Sequence, residues 1–117
     1  MKKDSEFADY VVEITQSIGP VYAKRMFGGH GIFLDGLMFG LIADKTLYLK
    51  ADKESEPEFT DLDLEAFSYN KNGKQMKMSY FQAPEEALEN MDLMNVWANK
   101  AYSAALRAAM KKGKVRS

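Results

Sequence analysis

The chain has 117 residues, of which 46% are hydrophobic and 28% charged, the size and balance of one packed domain rather than two domains or a disordered segment. It contains no cysteine, which excludes disulfides, thiolate metal sites and a cysteine nucleophile. The formal net charge of −1 gives no global attraction to nucleic acid, and Met1-Lys2-Lys3 is not followed by an apolar stretch of the kind a secretory signal requires, so the expected location is the cytoplasm.

Phe7, Tyr10, Val11, Ile14 and Ile18 recur at helical spacing and predict an amphipathic helix, capped by Asp4 or Ser5 and ended by Gly19-Pro20. A short strand is expected over Lys24 to Phe27, followed by a glycine-rich bend, Gly28-Gly29-His30-Gly31. Ile32-Phe33-Leu34 then meets Asp35-Gly36, a two-residue hairpin signal, because turns of this type need positive φ at both central positions. Leu37 to Ala43 forms the return strand, Asp44-Lys45 a second short turn, and Thr46 to Ala51 the next strand. These runs are apolar on both faces in places, the pattern of a central strand covered by helices. Gly40 within one of them marks a bulge or a close helix contact.

Glu54 to Phe59 is compatible with one helical turn interrupted by Pro57. Ala66 to Lys71 and Lys74 to Phe81 flank Asn72-Gly73, another hairpin signal; in the second strand Met76, Met78 and Tyr80 alternate with Gln75, Lys77 and Ser79. Pro84-Glu85-Glu86 opens the last helical region, with a restart capped by Asn90 or Asp92. There Leu93, Trp97, Ala101, Ala104 and Ala108 mark one stripe, and Gly113 is the expected C-cap. The fold class is therefore α+β: an antiparallel sheet of about five strands with an N-terminal and a long C-terminal helix.

No set of residues forms a catalytic or metal-binding constellation. His30 is the single histidine, and between glycines it reads as a solvated turn residue. The glycine-rich bend precedes a strand rather than a helix N-terminus, which is the wrong context for a phosphate loop. No cofactor and no enzyme activity are expected. Seven acids lie between Asp52 and Glu65, a solvated face by default. Arg107, Lys111, Lys112, Lys114 and Arg116 gather at the other end and are the candidate nucleic-acid contacts. Lys71, Lys74 and Lys77, with Tyr69, Tyr80 and Phe81, have the composition of a single-strand-binding hairpin, although ordinary sheet packing accounts for the aromatics on the methionine face.

The run Arg25-Met26-Phe27-Gly28-Gly29-His30-Gly31-Ile32-Phe33-Leu34-Asp35-Gly36-Leu37-Met38-Phe39 resembles the opening signature of the TfoX N-terminal domain family. Leu47-Tyr48-Leu49-Lys50, Tyr69, Met78-Ser79-Tyr80 and Pro84-Glu85-Glu86 extend the resemblance to most of the chain. It implies a secretion-chaperone-like order, α-β(3)-α-β(2)-α, and a link to positive regulation of competence genes in bacteria. Fuller regulators of that kind add a C-terminal helical domain, so this sequence reads as a stand-alone N-terminal-like domain with a short basic tail from about residue 111. Its expected role is a non-catalytic protein-interaction module in transcriptional regulation. The partner would be a protein of the transcription machinery or another regulator, with Arg25, Gly28, Gly29, His30 and Asp35 as the candidate interaction residues. Direct nucleic-acid binding through the basic tail is the alternative. A second copy of the chain, paired through the alanine face of the last helix or a sheet edge, is a further candidate partner.

Overall fold

A computed structural model describes residues 2–26 and 28–111. The chain begins with helix α1 (Lys2–Thr15), then forms strands β1 (Tyr22–Met26), β2 (Gly29–Leu34), β3 (Leu37–Ala43) and β4 (Thr46–Lys50). A short helix α2 (Glu56–Thr60) leads to β5 (Ala66–Lys71) and β6 (Lys74–Gln82), and helix α3 (Met91–Lys111) follows. The strands make one antiparallel sheet in the order β1-β2-β3-β4-β6-β5.

The turn chemistry explains the meander. Asp35 and Gly36, Asp44 and Lys45, and Asn72 and Gly73 all have positive φ, as two-residue hairpins require. The α+β class with one antiparallel sheet holds; the sheet has six strands among the described residues where about five were expected, and four precede α2 where the resemblance implies three. The short strand expected over Lys24 to Phe27 is β1, which begins earlier and pairs along its whole length with β2 from Tyr22↔Phe33 to Met26↔Gly29. A register shift between Ile32 and Phe33 leaves Phe39 without a ladder partner, placing the bulge next to Gly40. α1 starts at Lys2, before the expected caps at Asp4 and Ser5, and gives way at Gln16–Ile18 to a 3-10 turn. Gln16 Nε2 donates to the Val21 carbonyl at 2.8 Å and so sets the exit into β1.

All the helices pack on one side of the sheet. Strand alternation puts Ile32, Ile42, Leu47, Leu49 and Phe81 on that side, where they meet Val11 and Ile14 of α1 and Met94, Ala98 and Ala101 of α3. The α3 stripe that is buried runs through Met94, Ala98, Ala101, Ala105 and Ala109; Leu93 and Trp97 flank it, and Ala108 is only half-buried. Alanine at these positions lets the helix axis lie close to the sheet, so this face is consumed within the domain and is not available to a second copy. Asn90 caps α3, its Oδ1 accepting from the Leu93 N–H at 3.1 Å. Pro57 sits in the first turn of α2, where a missing N–H is tolerated, and Phe59 anchors that helix. The Phe59 ring lies 5.4 Å from Phe81 and 5.1 Å from Trp97. Gly113, the expected C-cap, lies outside the described residues.

The expectation of strands covered on both faces is overturned. Among the described residues no helix packs on the opposite side, which carries Phe33, Met38, Leu41, Tyr48, Met78 and Tyr80. Leu41 and Tyr80 are buried there without joining the main core. Among the described residues no helix is long and apolar enough to cross a membrane.

Candidate functional site

The glycine-rich signature falls on the β1–β2 hairpin, and its glycines serve three different needs. Gly28 turns the chain at φ +75° with open space around it. A Cβ on Gly29 would stand 2.1 Å from the backbone oxygen of Ile42, so only glycine lets β2 and β3 meet there. A Cβ on Gly31 would meet the Met38 and Phe33 side chains at 2.8 Å, so its hydrogen leaves room for large side chains on the open face.

His30 is not a solvated turn residue. It lies in β2, paired with Arg25 and Ile42, and is buried with its Nδ1 lacking a hydrogen-bond partner. Arg25 is exposed on edge strand β1 and makes no ion pair among the described residues. Asp35, at the β2–β3 turn, accepts a hydrogen bond from the Tyr102 hydroxyl at 3.3 Å. Burial first and the Asp35 charge second raise the Tyr102 pKa above that of a free phenol. The candidate interaction residues therefore separate: Arg25 and Gly28 face solvent, while Gly29, His30 and Asp35 have structural surroundings. On the face of β1 opposite Arg25, Tyr22 stacks on Phe33 at 5.5 Å and Lys24 sits over the same ring at 5.7 Å, a cationic and aromatic patch at the sheet edge.

The basic end divides as well. Arg107 is held by Asp52, through Nε to Oδ2 at 2.6 Å and Nη2 to Oδ1 at 3.0 Å, and Glu54 lies 3.3 Å from the same Nε. The hydrogen bonds from Arg107 hold the Asp52 carboxyl well below the usual carboxylate range. Arg107 thus ties α3 to the acidic segment instead of standing free. Lys100 does the same toward Glu58 at 2.8 Å. These pairs border a shallow polar cleft between α2 and α3 whose charges already neutralise one another. Lys111 is exposed at the end of α3; Lys112, Lys114 and Arg116 lie outside the described residues.

The feature that sequence reading missed is a trough of about 460 Å³ on the helix-free side of the sheet. Met26, Gly29, Met38 and Leu41 line it from β1 to β3, and Phe67, Tyr69, Lys71 and Met78 line it from the β5–β6 hairpin. Tyr80 holds the two parts together across β4, its hydroxyl donating to the Met38 carbonyl at 3.1 Å. Burial pushes the Tyr80 phenol up to about 12. The available sequence signal was arithmetic: the strands are apolar on both faces, yet the two long helices suffice to cover only one.

The relationships of the chain agree with this architecture. A similar protein is the DNA transformation protein TfoX1 of Aliivibrio fischeri (strain ATCC 700601 / ES114), 28% identical over 81 residues. That alignment spans 69% of this chain and 39% of the relative's own length. The TfoX N-terminal domain itself matches residues 13–105, which take in the signature hairpin, the whole sheet and most of α3. The chain belongs to the TfoX N-terminal domain family.

Proposed function

We propose that the chain is a regulatory domain of the competence type that acts by contacting another protein, and that the outer strip of β1 and β2 is the contact surface. The observation that carries this reading is the family match over residues 13–105, which takes in a signature whose exposed cation, Arg25, stands on the edge strand. Tyr22 and Lys24 offer an aromatic plate with a cation on one face of the edge strand, and Arg25 adds a second exposed cation on its other face, which suits a partner segment that runs along the edge and carries acidic groups. The similarity to a DNA transformation protein supports competence as the process concerned. The engagement of Arg107 by Asp52 and Glu54 favours a protein partner over nucleic acid.

Two measurements test this. Deleting the gene in its bacterial host should lower transformation frequency and competence-gene transcripts, and the wild-type chain should restore both. The Arg25→Glu chain, folded by circular dichroism, should not restore them; full restoration would remove β1 as the contact surface. Unchanged transcripts in the deletion strain would end the regulatory reading. Anisotropy of a labelled DNA duplex at about 50 and 200 mM salt decides the nucleic-acid alternative, which requires tight binding that weakens by orders of magnitude at the higher salt.

A further inference from the structure

The trough has the composition of a small-molecule site. Its volume, about 460 Å³, falls in the range of ligand pockets, and methionine, leucine and phenylalanine dominate its walls. Methionine suits such a wall because its unbranched, polarisable side chain adapts to irregular apolar shapes. The polar groups are few and of one sign. Lys71 is the single charged residue of the lining. Register places Lys74 directly opposite Lys71 across the β5–β6 hairpin, so both lysines stand on the trough side of that hairpin. Like charges in directly opposed positions repel, and neither lysine has an ion-pair partner among the described residues. An anion between them would relieve that repulsion.

We infer that the trough binds an amphiphilic anion, an apolar body carrying one carboxylate-like head, with the body against Met26, Leu41, Phe67 and Met78 and the head between Lys71 and Lys74. This site is distinct from the β1 strip and stands whether or not the regulatory reading holds. Fatty-acid-like carboxylates are the chemistry that fits, with length limited by the enclosed volume.

The test is a titration of the isotopically labelled full chain with decanoate, followed by backbone amide NMR, with decylamine and decanol as head-group controls. The expected result is saturable one-to-one binding with shifts confined to β1, β2, β3, β5 and β6. Decanoate should bind about tenfold or more tighter than decylamine. Lys71→Glu with Lys74→Glu, both at exposed positions, should weaken decanoate by about tenfold and leave decanol unchanged. Met78→Trp, at a half-buried position, should block both ligands while the remaining amide pattern stays native. No saturable shift up to about 1 mM decanoate would overturn the inference, as would decylamine binding equally well. Sedimentation with vesicles containing phosphatidylglycerol should leave the protein in the supernatant; pelleting would assign the lysines to a membrane surface and overturn the site. A dimer that persists unchanged with decanoate, with the trough amides protected, would show that a second copy fills it and would likewise overturn the inference.

Discussion

Replacing Asp52 with asparagine removes one charge while conserving the shape of the side chain. Asp52 Oδ1 accepts from the Ser55 N–H and hydroxyl, each at 3.1 Å, and the Asp52 N–H donates back to Ser55 Oγ at 3.1 Å. Asparagine can retain this local ring, since its carbonyl oxygen accepts as the carboxylate does. What it loses is the two-pronged ion pair with Arg107. Both partners are partly solvated, with side-chain exposures of 24% for Asp52 and 38% for Arg107, so the contribution is discounted toward the exposed-pair range, to about 1 kcal/mol. For a chain of this size that corresponds to a fall in Tm of about 4 °C at neutral pH. The sign of the pH dependence follows from the depressed Asp52 pKa. The stabilisation is complete above the unfolded carboxylate value of about 3.9 and is lost as pH falls from there toward the folded value. Urea denaturation of the wild type and Asp52→Asn should therefore show a constant gap from about pH 7 to 5 that closes below about pH 4. Adding Arg107→Ala completes a double-mutant cycle. A coupling energy indistinguishable from zero, or a gap that widens in acid, would refute the reasoning.

Gly29→Ala should be among the most damaging single-methyl changes, because the new Cβ would meet a backbone oxygen that no rotamer change can move. A loss of at least about 3 kcal/mol is expected, against about 1 kcal/mol for Gly28→Ala, where the cost is positive φ alone; urea midpoints compare the two. Tyr80→Phe removes the hydroxyl that reaches across β4 and should cost about 1 kcal/mol. Because burial raises the Tyr80 pKa, the folded state holds that proton more firmly than the unfolded chain, and stability contributed by the neutral phenol declines from about pH 10 upward. In an alkaline absorbance titration the difference between wild type and Tyr80→Phe should be one late transition near 12.

Much of the fold was legible because its signals are local. Asp35-Gly36, Asp44-Lys45 and Asn72-Gly73 each specify a backbone shape that few other residues tolerate. The α1 stripe follows from helical spacing, and Val11 and Ile14 are buried as that spacing requires. The site was less legible because residue identity does not disclose which constraint a residue answers. Gly28 and Gly29 are adjacent and identical, yet one answers a turn and the other a crossing strand, and His30 was misplaced into solvent by treating both as turn residues. Arg107 and Asp52 are 55 positions apart, so their pairing belongs to the tertiary fold and left no pattern in either segment. The trough was hidden for the same reason: Met78 and Leu41 belong to different hairpins and share a wall only because the sheet brings both to its helix-free face.

The strand order also shapes how the molecule opens. Five of its neighbours in the sheet are reached in turn from β1, and four of these contacts join consecutive hairpin strands, which close short loops at small entropic cost. The remaining contact, β4 to β6, spans α2 and holds three paired positions, Tyr48↔Gln82, Leu49↔Phe81 and Lys50↔Tyr80, flanked by the Ala51 N–H donating to the Ser79 carbonyl and the Ala83 N–H donating to the Leu47 carbonyl. That seam is the one sheet contact among the described strands that no hairpin turn closes, and native-state hydrogen exchange should register β5 and β6 as a separate cooperative unit from the β1–β4 meander. Swinging on that seam, the hairpin carries Phe67 and Met78 away from Met26 and Leu41 and draws Phe81 off its stack on Phe59, so opening the trough also loosens the helix layer at α2.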